Sequence, residues 1–124
     1  MENKKIRSFT DLIAWKEGHK LALEIYSLTK DFPKSESYVL ADQMRRCAIS
    51  ITSNIAEGFS RKTKKEKSQF YYMALGSITE LQNQLLIAKD IGYLTKEEFY
   101  GAADQTIKVH KLVNGLIKSS QTYT

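Results

Sequence analysis

Residues of mostly apolar character recur at alternating intervals of four and three along two long segments, and this repeat constrains the fold most. The positions in the first segment are Ala74, Ile78, Leu81, Leu85, Ala88 and Gly92. Those in the second are Phe99, Ala103, Thr106, His110, Val113 and Ile117. Such spacing lies along one face of an α-helix and is typical of helical bundles. The chain also has one proline and six glycines, too few for the many turns of an all-β protein.

Helix start and stop signals divide the chain into four segments of a single domain, residues 1–124. The expected helices span about residues 11–31, 36–59, 64–92 and 96–119. Thr10 or Asp11 is the expected N-cap of the first helix. Pro33 ends that helix, because proline disfavours helical geometry in the residue before it.

Capping boxes mark the starts of the third and fourth helices. Thr63 is followed three residues later by Glu66, and Thr95 by Glu98. In this pattern the side chain of each residue accepts a hydrogen bond from the backbone of the other. The connectors between the segments are short, so neighbouring helices must run antiparallel. The predicted fold class is therefore all-α, an antiparallel up-down-up-down four-helix bundle.

The helical period also predicts which residues are buried and suggests a second apolar surface. The expected core includes Leu40, Met44, Ile51, Ile55, Ile78, Leu81, Leu85, Phe99 and Val113. The first helix has two apolar stripes on nearly opposite sides. One consists of Leu12, Trp15, His19, Ala22, Leu23 and Tyr26, and the other of Leu21, Ile25, Leu28 and Phe32. In the third helix, Tyr72, Leu75 and Leu86 lie away from the main repeat. A bundle helix needs only one stripe, so the second favours self-association over an exposed patch.

Composition and the N-terminal sequence favour a cytoplasmic protein. The residues are 42% hydrophobic and 27% charged, as in ordinary globular proteins. Cys47 is the only cysteine, so no disulfide framework forms, and it lies on an apolar helix face. The polar start, residues 1–7, lacks the apolar part of a signal peptide. No segment has the roughly 20 apolar residues of a membrane span, so no membrane association is expected.

A polar stripe runs beside the apolar face of the second helix. Its members, with two residues of the third helix, are Arg46, Ser50, Ser53, Asn54, Glu57, Ser77 and Glu80. Small hydroxyl and amide groups next to a carboxylate indicate a face pressed against another helix, another subunit or a ligand. Packing between helices is the favoured interpretation, with Glu57 and Glu80 accepting hydrogen bonds from groups on adjacent helices.

No constellation of residues in the chain favours catalysis. The two histidines, His19 and His110, stand alone on apolar faces and are expected to be packed and hydrogen-bonded. A metal centre would need several ligands at characteristic spacing, so no metal or other cofactor is expected. Ser53 lies one turn from Glu57, but a serine without a histidine is a poor nucleophile. The sequence therefore predicts a protein that is not an enzyme.

Basic residues cluster in two places, although the net charge is only +5. The first cluster is Arg61, Lys62, Lys64, Lys65 and Lys67, and the second is Lys4, Lys5 and Arg7. Lysines of this kind can bind phosphates, and Tyr71 or Tyr72 could stack on bases. Such contacts would contribute affinity but little sequence specificity. A solvated connector between two helices is an equally good interpretation of the first cluster.

A set of positions across the chain matches a known family. They are Phe9, Leu12, Trp15, Lys16, Phe32, Pro33, Glu36, Leu40, Gln43, Arg45, Arg46, Ser50, the run Ser53-Asn54-Ile55-Ala56-Glu57-Gly58, Ala74, Gly76, Ser77, Glu80 and Leu81. The pattern resembles the bacterial proteins that are encoded in intervening sequences of 23S ribosomal RNA genes. The Asn-Ile-Ala-Glu-Gly run is its most specific part.

The resemblance implies a four-helix bundle that assembles into a homopentameric ring and has no established enzymatic activity. Related bundles are accessory proteins of diversity-generating retroelements, in which they partner a reverse transcriptase and nucleic acid. With the basic clusters, the resemblance favours a non-catalytic oligomeric adaptor that associates with RNA or DNA. The alternative is a protein-interaction scaffold, with an acidic partner or a reverse transcriptase, that does not itself bind nucleic acid.

Overall fold

The computed structural model describes residues 5–122, with side chains for all of these except residues 36–38 and 121–122. Its four α-helices are α1 (Ile13–Thr29), α2 (Asp42–Ser60), α3 (Lys64–Asp90) and α4 (Lys96–Thr122). Helices α1 and α3 each lie between α2 and α4, and no strand occurs among the described residues. The fold is the all-α, up-down-up-down four-helix bundle that the sequence predicts.

The chain enters α1 through a 3-10 turn, Phe9–Asp11, which corrects the predicted N-cap. The Ser8 hydroxyl accepts a hydrogen bond from the Thr10 N–H at 3.2 Å. The Asp11 carboxylate accepts one from the Ser8 N–H at 3.1 Å. Leu12 then occupies the N-cap of α1 with no side-chain hydrogen bond. The capping box therefore stabilises the turn before α1 rather than α1 itself.

Helices α2 and α3 each differ from the predicted helix at one end. A 3-10 turn, Lys34–Glu36, and a π-helical turn, Ser37–Ala41, precede α2, where the repeat predicts regular helix. Helix α3 ends before Gly92, whose φ of +87° is a left-handed conformation that glycine adopts without strain. The Tyr93 N–H then donates to the Ala88 carbonyl at 2.8 Å, which closes the helix end.

The predicted capping box is complete at Thr95, whereas at Thr63 only the side-chain cap of the helix start is present. The Thr63 hydroxyl accepts a hydrogen bond from the Glu66 N–H at 3.2 Å, and the Thr95 hydroxyl accepts one from the Glu98 N–H at 3.1 Å. At the start of α4 the box is reciprocal, because the Glu98 carboxylate accepts the Thr95 N–H at 2.8 Å. These bonds satisfy backbone donors that have no partner within their own helix.

The predicted core is confirmed, whereas the predicted apolar repeat on α4 is displaced at Ala103 and His110. All nine expected residues are buried, from Leu40 on α2's entry turn to Val113 on α4. In α4, Ala102 and Val109 are fully buried, whereas Ala103 is only half-buried. The buried positions step first by three and then by four from Phe99, so Ala102 and Val109 replace the predicted Ala103 and His110. Ala102 and Ala103 are both apolar, so the sequence pattern allows either order of steps.

Apolar residues also remain on the outside of the bundle. In the predicted α1 stripe that runs from Leu12 to Tyr26, Leu23 and Tyr26 are 58% and 43% exposed. On α3, Tyr72 and Leu86 are 54% and 45% exposed. A single copy of the chain thus leaves these large side chains in contact with water. None of the helices in residues 5–122 combines the length and apolarity that crossing a membrane requires.

Candidate nucleic-acid interface

The antiparallel order brings four helix termini together at one end of the bundle: the starts of α1 and α3 and the ends of α2 and α4. Gly18 of α1 lies beside Thr52 of α2, since a Cβ at this glycine would be 3.2 Å from Thr52 Cγ2. The start of α1 also shares a surface groove with the last turns of α4. We call this region, residues 5–16, 54–70 and 111–122, the basic end.

The positive charge of the chain is concentrated in the basic end. This region contains ten lysines and arginines but only three aspartates and glutamates. The rest of the chain contains nine basic and eleven acidic residues, so it is slightly negative. The net charge of +5 therefore arises entirely from one end of the bundle. Such an asymmetric distribution makes the electrostatic potential of that end positive.

Most basic side chains of this end are accessible to a ligand. The exposed ones are Lys5, Arg7, Lys16, Lys62, Lys65, Lys111 and Lys118. They include two members of each predicted cluster, so the structure brings the two clusters to the same end of the molecule. Lys4 of the N-terminal cluster lies outside the described residues.

Arg61 stands just after α2 and is positioned by two contacts. Its Nη2 donates to the Glu57 carboxylate at 3.1 Å. Its guanidinium lies 4.6 Å from the centre of the Phe70 ring, a favourable cation–π distance. The side chain is still 40% exposed. These two contacts thus fix the position of the Arg61 guanidinium at the surface of the basic end.

Lys67 does not extend into solvent as the sequence predicts, but contacts the end of α2. Its ammonium donates to the backbone carbonyls of Phe59 at 2.7 Å and Gly58 at 3.4 Å. These carbonyls belong to the last turn of α2, which carries partial negative charge. Burial lowers the pKa of the Lys67 ammonium. Lys67 therefore caps α2 and is not available as the phosphate ligand that was expected.

Three other predicted residues divide between the surface and the interior. Lys64 is half-buried at the start of α3. Tyr71 is buried, with 3% of its surface exposed, so it cannot stack on a base as predicted. Tyr72 is 54% exposed and does face solvent. The helical period explains the difference, because adjacent residues on a helix point about 100° apart.

The small polar residues of the stripe join α2 to α3, in agreement with their predicted packing role. The hydroxyls of Ser50 and Ser77 are 2.9 Å apart, and the Asn54 amide donates to the Ser50 carbonyl at 2.9 Å. The Cys47 thiol donates to the Ser77 carbonyl at 2.9 Å. Burial, together with the nearby Glu80 carboxylate, raises the pKa of this thiol to about 12. Cys47 is thus protonated and packed, not a nucleophile.

The charged members of the stripe face solvent instead. Arg46 and Glu80 are exposed and line a groove of about 240 Å³ between α2 and α3. Ser53 is also exposed, and the Glu57 side chain is 54% exposed with its ion pair to Arg61 one turn away. The expectation of partners on adjacent helices is therefore wrong for Glu57 and also for Glu80, whose carboxylate accepts from the Gln84 amide of its own helix at 3.5 Å. An exposed pair of this spacing contributes about 0.3–0.5 kcal/mol, far less than a buried one.

The two histidines have different environments. His110 is half-buried and its Nδ1 hydrogen-bonds to the Asn114 amide at 3.1 Å, as expected of a packed histidine. His19 is exposed and stacks on Trp15 with ring centres 4.7 Å apart. The prediction of a packed, hydrogen-bonded histidine is thus wrong for His19. Within residues 5–122, no three histidine, cysteine, aspartate or glutamate side chains come together as metal ligands.

The structure also contains an ion cluster between α1 and α4 that the sequence does not predict. The nearly buried Glu17 carboxylate accepts hydrogen bonds from Gln105 at 3.1 Å, Lys20 at 3.2 Å and Lys108 at 3.2 Å. These bonds, that of Gln105 foremost, lower the pKa of Glu17 to about 2. Only the spacing of Glu17 and Lys20 is visible locally, because Gln105 lies 88 residues away.

Comparisons with known proteins agree with the fold. A family model described as 23S rRNA-intervening sequence protein matches residues 10–115. The chain is also similar to a crystal structure of a protein of unknown function from the S23 ribosomal protein family of Bacteroides thetaiotaomicron VPI-5482. That match has a TM-score of 0.79 at 21% sequence identity and covers 86% of this chain and 96% of that chain. Such an identity supports the fold alone. No curated protein matches the chain.

Proposed function

The chain belongs to the 23S rRNA-intervening sequence protein family, and we propose that it is a non-catalytic, self-associating adaptor that holds RNA or DNA at its basic end. The main support for this proposal is that the excess of basic over acidic residues is located entirely at one end of the bundle. A net +5 spread evenly over the surface would give only weak attraction. Ten basic against three acidic residues at one end create a local field that favours a polyanion.

Phosphate contacts dominate the proposed binding. The exposed Lys62 and Lys65 lie in and just after the connector between α2 and α3, and Arg61 is held beside them by Glu57 and Phe70. Lysine and arginine contacts to phosphates position a nucleic acid without reading its sequence. The adaptor is therefore expected to bind RNA and DNA with low sequence specificity and to lose affinity as salt rises.

Self-association is the second part of the proposal, and exposed apolar residues support it. Leu23 and Tyr26 of α1 are 58% and 43% exposed, and Ile49 of α2 is 43% exposed. Leu86 and Ile107, 45% and 49% exposed, line a groove of about 270 Å³ between α3 and α4. The first three residues lie on α1 and α2 and the last two on α3 and α4, so we infer that one copy can contact two others and form a ring.

The proposed assembly is the pentamer implied by the family resemblance, and a dimer is its main rival. Repetition of the basic end around a ring would strengthen weak contacts, because several sites engaging one strand act at high effective concentration. Each of the five apolar residues above lies outside the basic end. Assembly through them would therefore leave the phosphate-binding residues free.

A protein-interaction scaffold is the second candidate function. Two grooves favour it, the apolar one between α3 and α4 and the one between α2 and α3 that the exposed Arg46 and Glu80 line, since such surfaces also suit a protein partner. Its partner would be acidic, or a reverse transcriptase as in the related accessory proteins. This candidate needs no contact with nucleic acid, and that difference makes the two testable against each other.

The distinguishing experiment is a salt titration of binding to labelled mixed-sequence RNA and duplex DNA. For the adaptor, the logarithm of the binding constant should fall linearly with the logarithm of salt concentration. The slope should be about −0.9 per neutralised phosphate for duplex DNA and about −0.7 for single strands. No binding to either probe at low salt would remove the adaptor proposal and leave the scaffold.

A further inference from the structure

Three aromatic rings form a stack that begins in the basic end. Phe9 meets Trp15 edge to face, with ring centres 5.4 Å apart and planes at 69°. Trp15 in turn lies nearly parallel to His19, at 4.7 Å and 15°. We call these three residues the aromatic stack. It connects the 3-10 turn before α1 to the surface of that helix, one turn beyond the exposed Lys16.

Phe9 and Trp15, the two members of the stack nearer the core, have a structural role. Phe9 and Trp15 are half-buried and pack against the hydrophobic core. They thereby hold the N-terminal segment, with Lys5 and Arg7, against the bundle. Removing either ring would disturb the core as well as any ligand contact.

The outer member of the stack, His19, has no such task. Its ring is exposed, and within residues 5–122 neither of its ring nitrogens has a hydrogen-bond partner. His110, by contrast, is half-buried and bonded to Asn114. The aromatic stack therefore ends in a solvent-facing ring beside a region rich in positive charge.

We propose that the aromatic stack is a docking site for an unpaired nucleobase, with the base stacking on the imidazole of His19. The proposal rests on the function proposed above, because the basic end must first hold the strand. Every base has a π-face, so stacking of this kind accepts any sequence. Bases of a duplex are already stacked on one another and cannot reach the ring. The site therefore confers a preference for single strands on a surface whose lysines alone would bind both forms.

The test compares variants of the full chain binding single-stranded RNA and DNA of about 12 nucleotides, within the usual site size, and a duplex of the same sequence. His19→Ala should weaken single-strand binding about tenfold while leaving duplex binding unchanged, since base stacking contributes at this level. His19→Phe keeps an aromatic face and should retain single-strand affinity. Tyr100→Ala is the matched control, because it removes an exposed aromatic ring of α4 that lies outside the stack, the basic end and the proposed self-association residues.

A second readout needs no substitution, because Trp15 is the only tryptophan in the chain. Addition of the single strand should quench its emission, and the duplex should not. Equal loss of single-strand and duplex affinity in His19→Ala, or no loss in either, would overturn the proposal. In the second case, persistent salt-dependent binding would leave the basic-end function intact. Failure of the unsubstituted protein to bind any probe would overturn both.

Discussion

Gly58 of α2 lies directly against the ring of Tyr71 of α3. A Cβ at Gly58 would be 2.6 Å from Cε1 and 2.8 Å from Cδ1 of that ring, and 3.2 Å from the Lys67 carbonyl oxygen. The absence of a side chain thus lets the end of α2 approach the start of α3. This close approach positions the connector that carries Lys62 and brings Lys67 to the last carbonyls of α2.

Gly58→Ala is expected to destabilise the protein by about 1–3 kcal/mol, because the methyl group would overlap a buried ring and the backbone beside it. The control is Gly76→Ala within α3, where a Cβ would meet nothing within 4 Å. That change should stabilise the helix by about 0.5–1 kcal/mol through helix propensity. Urea unfolding monitored by circular dichroism measures both. Equal effects of the two substitutions would contradict the close contact.

Leu81→Ala is expected to lower the free energy of unfolding by about 2–5 kcal/mol, through lost burial and the cavity left behind. Leu81 is fully buried, in the centre of the repeat on α3. Ile87→Ala on the same helix is the control, since Ile87 is 44% exposed. A loss of only a few tenths for Leu81→Ala would place the core elsewhere.

Acid should weaken the contact between α1 and α4 through Glu17. Its folded-state pKa of about 2 lies below the ordinary value of 4.5, so its ionised form stabilises the fold fully above pH 4.5. The contribution is lost as the pH falls from 4.5 towards 2. The difference in unfolding free energy between the unsubstituted protein and Glu17→Gln should therefore shrink over this range. Asp104→Asn serves as the exposed control on α4. A difference that is constant with pH would show that the Glu17 charge does not contribute.

Light scattering in moderate salt is expected to report an oligomer, with five subunits as the proposed number. Leu86→Glu and Ile107→Glu should shift the mass towards the monomer, because each places a charge in the apolar groove between α3 and α4. Lys96→Glu, an exposed change at the start of α4, should leave the assembly intact. A monomer of the unsubstituted protein at high micromolar concentration would overturn the assembly proposal.

Local patterns account for what the sequence predicts well. The burial of Leu81 and the capping box at Thr95 depend on residues within a few turns, so periodicity and cap chemistry suffice. Whether a lysine such as Lys65 or Lys67 is exposed or bound to another helix cannot be predicted from the local sequence pattern. Lys65 is exposed and Lys67 caps α2, because only Lys67 reaches the carbonyls of another helix.

The candidate site was predictable only in part for the same reason. The two basic clusters are visible in the sequence, but their meeting at one end depends on the antiparallel order of the helices. The ion cluster of Glu17 and Gln105 joins residues far apart in the chain. The exposure of His19 likewise follows from the packing of α1 on its neighbours, which turns one apolar stripe inwards and leaves part of the other in solvent.

The central claim is that the basic end, and not charge in general, binds nucleic acid. It is tested most directly by removing the same number of charges from each end of the bundle. One variant combines Lys62→Gln with Lys65→Gln, and the other combines Lys30→Gln with Lys34→Gln, which are exposed at the opposite end. The first should weaken duplex DNA binding and flatten its salt slope by about one unit per lost contact. The second should leave the slope unchanged, whereas equal flattening by the two variants, or none by the first, would contradict the claim.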